Sequence, residues 1–385
     1  MTITVVCDVL GELNNGTTLA AVNLIESLKR RGHTVRIVCA DEALRGEPDV
    51  FLAPVRNLGP FNGYIAKNNV VCAKPDASVL AQALDGADLV HVMVGFGMGR
   101  LAAKMAEARG IPVTGGFHAM AENVSAHAFL QQVPCVNRLI YRYFSRTYRR
   151  CSAIHYPTQF LRELYEAVAG PTNGYVISNG VDADFHPRPA ARPPEWRDRD
   201  VVIFTGRYSP EKSHRILIEA AKRSSRRDRL QLVLAGQGPL QEKIEEWSAD
   251  LPLKPVFGFH SRSEMLDLLN TADLYVHPAE IEAEGIACLE AIACGLVPVI
   301  SDSPRCATRT YALDGKNLFD YRSPEDLARK MDWWLEHPEE RAQRGREYLS
   351  MARGELDRTV CMDRMERMML EAAGKVPLTQ VPAAG

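Results

Sequence analysis

The sequence predicts an α/β protein of two Rossmann-like domains that face each other across an interdomain cleft. Three observations predict it. Short apolar runs alternate with stretches of helical periodicity, which is the rhythm of a parallel sheet covered by helices. The rhythm stops in a proline-rich, charged stretch, Pro187–Asp200, and then starts again. In both series the apolar runs end on glycine, where a strand hands over to a ligand-facing loop. At 385 residues, 46% of them hydrophobic, the chain is long enough for two or three domains with their own cores.

The first apolar run is Ile3–Val9, a buried-strand pattern. A Gly/Asn-rich turn, Gly11–Gly16, follows it. Leu19, Ala20, Val22, Leu24, Ile25 and Leu28 then recur at helical spacing, and Gly32 is expected to stop that helix. Thr34–Cys39, Asp88–Val94 and Ile111–Gly115 are the next strands. The second series runs Val201–Phe204, Leu230–Ala235, Leu274–His277 and Val297–Ser301. The expected division is therefore 1–175, 176–355, and a last segment, 356–385. In that segment a helix over Arg358–Ala373 crosses back to the first domain and a frayed Pro/Ala-rich tail ends the chain. Pro187–Asp200, with four prolines and no periodicity, reads as a linker.

Composition narrows the function. The net charge is −2; residues 1–175 carry 17 basic against 14 acidic side chains and the remainder 29 against 34. That is no domain-scale basic face, so nucleic-acid binding is not expected. Nine scattered cysteines without a CxxC pair read as reduced thiols of a cytoplasmic protein. Met1–Asp8 reads as a strand and not as a signal peptide, and no apolar run reaches the roughly 18 residues of a membrane span. Membrane contact, if the substrate requires it, is expected to be peripheral, on the inner face. No Gly-x-Gly-x-x-Gly follows the first strand, which argues against a nicotinamide dehydrogenase.

The chemistry concentrates in the second half. His277-Pro-Ala-Glu-Ile-Glu282-Ala-Glu-Gly285-Ile286-Ala-Cys-Leu-Glu290 carries a strand end, an acidic loop and a helix start. Free N–H groups at such a start suit a diphosphate. Two carboxylates eight residues apart, Glu282 on the loop and Glu290 in the helix, can grip two separate sets of hydroxyls; solvated acids on an ordinary strand–helix unit are the plain alternative. Gly206-Arg207 ends a strand, and Lys212 opens the next helix. Two cations beside a leaving diphosphate each supply a few kcal/mol at an effective dielectric near ~20, without a metal. Asp182-Ala-Asp184 and Asp198-Arg-Asp200 mimic a metal-binding DxD but fall in a turn and the linker, so no metal site is expected.

Glu282-x7-Glu290 with Gly285 between resembles the signature of the family 4 retaining glycosyltransferases of GT-B fold, and the likeness extends over nearly the whole chain. The resemblance implies that Glu282 contacts donor-sugar hydroxyls, Glu290 the ribose, and Gly285 and Ile286 the phosphates and sugar. It likewise implies that Arg207 and Lys212 form the phosphate clamp, with Gly206 and Gly238 in the adjoining loops. Gly16 would lie against the donor phosphate, and Phe257 would sit where the base edge is bound. His118, just past a strand end, would contact the sugar; a lone histidine is otherwise more often structural. Phe117-His118-x3-Glu122-Asn123 is similar to a subgroup described as diacylglycerol glucosyltransferases.

The expected activity is thus metal-independent transfer of a hexose from a nucleotide-sugar, UDP-glucose foremost, to an acceptor hydroxyl. No cofactor is called for. A membrane glycerolipid is the first acceptor considered. A soluble or polysaccharide acceptor, a nucleotide-sugar 2-epimerase and an inactive sugar-binding partner are the alternatives. One stretch bears on the acceptor: Asn137–Arg150 has five arginines and no acid, with Arg138, Arg142 and Arg146 spaced by four. A basic amphipathic helix fits an anionic membrane at roughly 1 kcal/mol per basic residue. It equally fits a helix that packs its apolar residues, Leu139, Ile140, Tyr143, Phe144 and Thr147, on a core.

Overall fold

The computed structural model describes residues 1–8, 10, 16–57, 59, 71–126 and 130–377. The turn at 11–15 and the tail from 378 lie outside the described residues. The chain divides into two compact units: Met1–Ser178 together with the chain from Cys361 on, and Asn179–Val360.

The first unit is built on β1 (Thr2–Val6), α1 (Gly16–Arg30), β2 (Thr34–Cys39), β3 (Val50–Leu52), α2 (Ala77–Ala83), β4 (Leu89–Val92) and α3 (Gly97–Ala108). It continues through β5 (Val113–Gly116), α4 (Ala121–Ala126), α5 (Pro134–Tyr148), β6 (Ala153–Tyr156), α6 (Gln159–Ala169) and β7 (Gly174–Val176). The seven strands form one parallel sheet in the order β3-β2-β1-β4-β5-β6-β7. Asp76 and Thr158 cap α2 and α6 by accepting from the first-turn N–H groups. Gly32 takes a left-handed φ of 82° beyond α1, as a helix stop requires.

The second unit contains β8 (Asp200–Thr205), α7 (His214–Arg223), β9 (Leu230–Ala235), α8 (Gln241–Trp247), β10 (Val256–Gly258), α9 (Arg262–Thr271) and β11 (Leu274–His277). After these come β12 (Ile281–Glu282), α10 (Ile286–Ala293), β13 (Pro298–Ser301), β14 (Arg305–Cys306), β15 (Leu318–Phe319), α11 (Pro324–Glu336) and α12 (Pro338–Ala352). Its main sheet is also parallel, β10-β9-β8-β11-β13-β15, and β12 pairs only with β14. All six residues of β8 and of β9 are buried, the pattern of a strand covered on both faces.

The last helix, α13 (Arg358–Ala372), buries Cys361, Met362, Met365, Met368 and Met369 among Ile3, Val5, Leu24, Leu28 and Val35 of the first unit. The 3–4 spacing of those side chains is the stripe a helix needs to lie on a sheet-and-helix core. Its polar flank is tied down as well: Glu366 is 2.7 Å from His33 and 3.2 Å from Arg31, and Tyr175 donates to Glu371 at 2.9 Å.

The stretch read as a structureless linker is not one throughout. Pro194–Trp196 makes a 3-10 turn that buries Trp196 in the second unit's core, and Asp200 begins β8. Proline density obscured an aromatic anchor.

Candidate functional site

In the second unit the strand ends converge on one carboxylate. Glu282 sits on β12, held by its pairing with Cys306, and Lys212 ends a short turn, Pro210–Lys212, beyond β8. The Lys212 ammonium donates to the Glu282 carboxylate, and His277 Nε2 at the end of β11 is 3.4 Å from the same oxygen. Burial works against the charge on Glu282, yet Lys212 and His277 hold its pKa well below the ordinary carboxylate range. Burial also opposes the charge on Lys212, and Glu282 outweighs it, so the lysine pKa is raised. His277 is buried, its pKa lowered by burial, and its Nδ1 is 3.2 Å from the Tyr275 hydroxyl. The outcome is a half-buried ion pair beside a buried imidazole.

The turn that carries Lys212 is fastened on both sides. Glu280 N–H donates to the Glu211 carbonyl at 2.8 Å, and Ser213 adopts φ 53°, a left-handed conformation uncommon for a residue with a side chain. Arg207, half-buried, follows Gly206 on the same loop. That loop is clasped by the next one: Gly236 accommodates the Gly206 carbonyl oxygen, which would lie 1.9 Å from a Cβ there. Tyr208 N–H donates to Gln237 at 3.0 Å, and Leu240 N–H to Tyr208 at 3.1 Å. Gly238 likewise lies against the Tyr208 backbone. This glycine pair serves loop-on-loop packing, which the sequence alone could not separate from ligand approach.

Gly285 caps α10 at φ 79°, with the Thr308 methyl group 2.2 Å from where a Cβ would stand. No side chain caps α10, so Ile286 opens a helix whose first turn is left to other acceptors. Glu290 lies in the same helix, half-buried, and burial pushes its carboxyl up to about 7 despite the neighbouring Arg262 and Arg358. Phe257 lies within β10, half-buried against the core.

Sequence reasoning gave no role to one buried acid here. Glu284, two residues beyond Glu282, is buried and accepts from the Asn179 backbone N–H at 2.9 Å and from its side-chain amide. Spacing alone does not distinguish a ligand carboxylate from one that anchors a turn. Asp182, half of a DxD mimic, is engaged by Arg262 at 2.6 Å and by Arg358. Asp200, of the other mimic, is engaged by Arg226 at 2.8 Å and Arg229 at 2.9 Å. Among the described residues no group of three or more His, Cys, Asp or Glu is placed to hold a metal ion.

The first unit holds the remaining candidates. Gly16 is the exposed first residue of α1. His118 follows β5 and is 8% exposed, with its ring 5.1 Å from that of His155. Burial, and then the nearby His155 and His91, depress its pKa, so it is neutral at pH 7. Its Nε2 has no hydrogen-bond partner among the described residues, nor have His91 Nε2 and His155 Nδ1. Glu122 is buried on α4 and accepts from the Tyr141 hydroxyl of α5, and Asn123 beside it is half-buried. Glu122 is thus satisfied within the fold.

Arg138, Arg142 and Arg146 are all exposed on α5. The helix buries Asn137, Tyr141, Phe144, Ser145, Thr147 and Tyr148, an aromatic set packed around Phe117 and Tyr165. Leu139 was expected on the packed side but is 68% exposed. At 100° per residue it falls on the edge of the arginine stripe, away from the buried aromatics. No helix among the described residues is long and apolar enough to cross a membrane.

Residues 14–185 match Glycosyltransferase Family 4, and residues 190–348 match Glycosyl transferases group 1. A GDP-mannose-dependent α-(1-6)-phosphatidylinositol dimannoside mannosyltransferase of Mycobacterium tuberculosis is 30% identical over 206 residues, 52% of this chain and 53% of that protein. A D-inositol 3-phosphate glycosyltransferase of Frankia alni is 31% identical over 199 residues, 46% of this chain and 48% of that one. The chain thus spans about half the length of these curated relatives. Among solved structures, Anabaena HepE in complex with UDP and glucose superposes with TM-score 0.72 at 18% identity, covering 95% of this chain and 98% of that one. WaaG, a glycosyltransferase of lipopolysaccharide biosynthesis, gives 0.71 at 17%, covering 95% and 99%. At such identities the likeness speaks to fold, and the fold is GT-B.

Proposed function

Because the chain belongs to the family 4 glycosyltransferases, we propose that it transfers a hexose from a nucleotide-sugar to an acceptor hydroxyl with retention of anomeric configuration and without a metal ion. The observation that carries this reading is the half-buried Lys212–Glu282 pair at the strand ends of the second unit. Breaking the sugar–phosphate bond leaves negative charge on the diphosphate. Lys212 has three N–H donors, so it can keep Glu282 and still donate to a phosphate oxygen. Arg207 on the same loop and the uncapped start of α10 add positive potential. Glu282, fixed as a carboxylate, accepts from sugar hydroxyls, and Glu290 from the ribose. The acceptor oxygen attacks the anomeric carbon from the leaving-group face and gives its proton to the departing phosphate oxygen. His118, Glu122 and Asn123 belong to the acceptor side of this scheme, with His118 also orienting the sugar.

A glycerolipid acceptor and UDP-glucose donor are the specific proposal. The exposed arginine stripe on α5 supports docking on the inner face of an anionic membrane, and the mycobacterial relative acts on a phosphatidylinositol lipid. That relative uses GDP-mannose, so both donors belong in the test. The protein is incubated with UDP-glucose or GDP-mannose and a lipid extract, and products are identified by mass. A hexosyl lipid formed by wild type is expected, with Glu282→Ala slower by roughly 30- to 1000-fold, the worth of about 2–4 kcal/mol of transition-state contact. Near-normal turnover in that variant removes Glu282 from the site; product only on soluble acceptors removes the lipid.

A further inference from the structure

Away from the carboxylate site, the first unit carries a cavity of about 510 Å³, within the range of small-molecule sites. Among its lining residues are Arg56, Asn57, Lys74, Gly97, Arg100 and Tyr143. An antiparallel bridge between Val55 and Ala73 joins the two segments that bear Arg56 and Lys74. Flanking bonds from Arg56 N–H to Cys72 and from Lys74 N–H to Pro54, each 2.8 Å, put both cations on one face of that ribbon. Arg100 projects from the first turn of α3, its guanidinium 5.4 Å from the centre of the Tyr143 ring. Among the described residues none of the three cations forms an ion pair with an acidic side chain, and none of the described lining residues is a carboxylate. Asp8, an acid that feels the charge of Arg56, is buried and spends both oxygens on the Met98 and Gly99 N–H groups at 2.8 and 2.7 Å, while Asp76, which feels that of Lys74, accepts from the Ser78 and Val79 N–H groups at the start of α2. The start of α3 is therefore already satisfied, and recognition at this cavity falls to side-chain cations. Three cations that line one cavity without a carboxylate ion pair among the described residues, with the Tyr143 phenol beside them, match the oxygens of a phosphate ester.

We propose that this cavity binds a phosphate ester group of the acceptor. The assignment rests on the transferase reading for the word acceptor, and on the cavity alone for the phosphate. The test needs no donor: thermal stabilisation of the full chain is followed against glycerol 3-phosphate, and separately co-sedimentation with phosphatidylcholine vesicles containing phosphatidic acid. Saturable binding in either arm is expected, the arm identifying a free or a lipid-borne phosphate. Arg56→Ala with Lys74→Ala should weaken it at least ~10-fold, as loss of charge-assisted bonds implies. Arg56→Lys with Lys74→Arg should retain it. Both positions are exposed, so the fold should tolerate either change. Binding in neither arm, or binding indifferent to the double alanine variant, overturns the proposal. Because no sugar transfer is read, failure of the transferase reading leaves this result standing. A working transferase whose rate is the same in wild type and the double variant would sink the phosphate site alone.

Discussion

The ionisation states of Lys212 and Glu282 are mutually dependent, so removing the lysine should shift the titration of the carboxylate. Glu282 is half-buried; desolvation raises its pKa, and Lys212 and His277 outweigh that and depress it. With Lys212→Ala, burial is opposed only by His277, and the Glu282 pKa rises. The acid limb of the rate profile should then move toward neutrality, on top of a fall in kcat that exceeds any rise in donor KM, because charge on the diphosphate grows mainly in the transition state. An unmoved acid limb, or a KM effect alone, would show Lys212 to be a plain binding cation. Glu290 titrates in the opposite sense. Its folded pKa of about 7 is raised above the ordinary carboxylate value by burial, with Arg262 and Arg358 opposing and Asp182 adding to the rise. Such a group favours the folded state fully below the unfolded pKa, and that contribution is lost as pH rises through about 7. Glu290→Gln should therefore match wild type in a denaturant titration at pH 4 and exceed it at pH 8. If Glu290 grips the ribose as a carboxylate, wild-type donor KM should fall between those pH values while the variant's stays flat. Equal stabilities at pH 8 would show that the carboxylate is better solvated than its burial suggests.

At the scale of elements, the sequence showed where strands hand over to loops, because glycine and charge cluster there. It did not show which polar side chain on a loop faces a ligand. Glu282 and Glu284 are two residues apart; one pairs with Lys212 and the other holds Asn179. Three-dimensional neighbours decide that, and their partners are some 70 to 105 residues distant. Helix α5 shows a similar limit. Its arginine spacing was legible, but the side on which Leu139 falls depended on which aromatics meet Phe117. With Leu139 out among the arginines, the exposed stripe combines cations with an apolar side chain able to enter an interface. Vesicles rich in phosphatidylglycerol should bind the wild type, and binding should weaken with salt as charges are screened over about 10 Å at 0.1 M. Arg138→Glu, Arg142→Glu and Arg146→Glu together should abolish that binding and leave donor hydrolysis intact, since all three side chains are exposed. Wild type that ignores such vesicles would make α5 a structural helix only.

Across the whole molecule, two parallel sheets were foreseeable because a double-sided strand must be an apolar run, and β8, β9, β11 and β13 are such runs. The short edge strands β3, β7 and β10, three residues each, were hidden because half-buried edges carry too little pattern. The same long view bears on charge. The chain is nearly neutral overall, yet its candidate donor site carries Arg207, Lys212 and a helix start, while Asp182, Asp184 and Asp200 of the DxD mimics are engaged by arginines. On the proposed metal-free reading, neutralising a departing diphosphate falls to the protein's own cations, each worth a few kcal/mol beside the charge at an effective dielectric near ~20. Release of nucleoside diphosphate should therefore continue unchanged in excess EDTA, followed by a coupled assay whose reporting enzymes are added after the chelator is quenched. It should not be stimulated by magnesium or manganese added back. Activity that disappears in chelator and returns only with a divalent ion would mean that the arginine and lysine do not suffice, and that a cation enters with the donor.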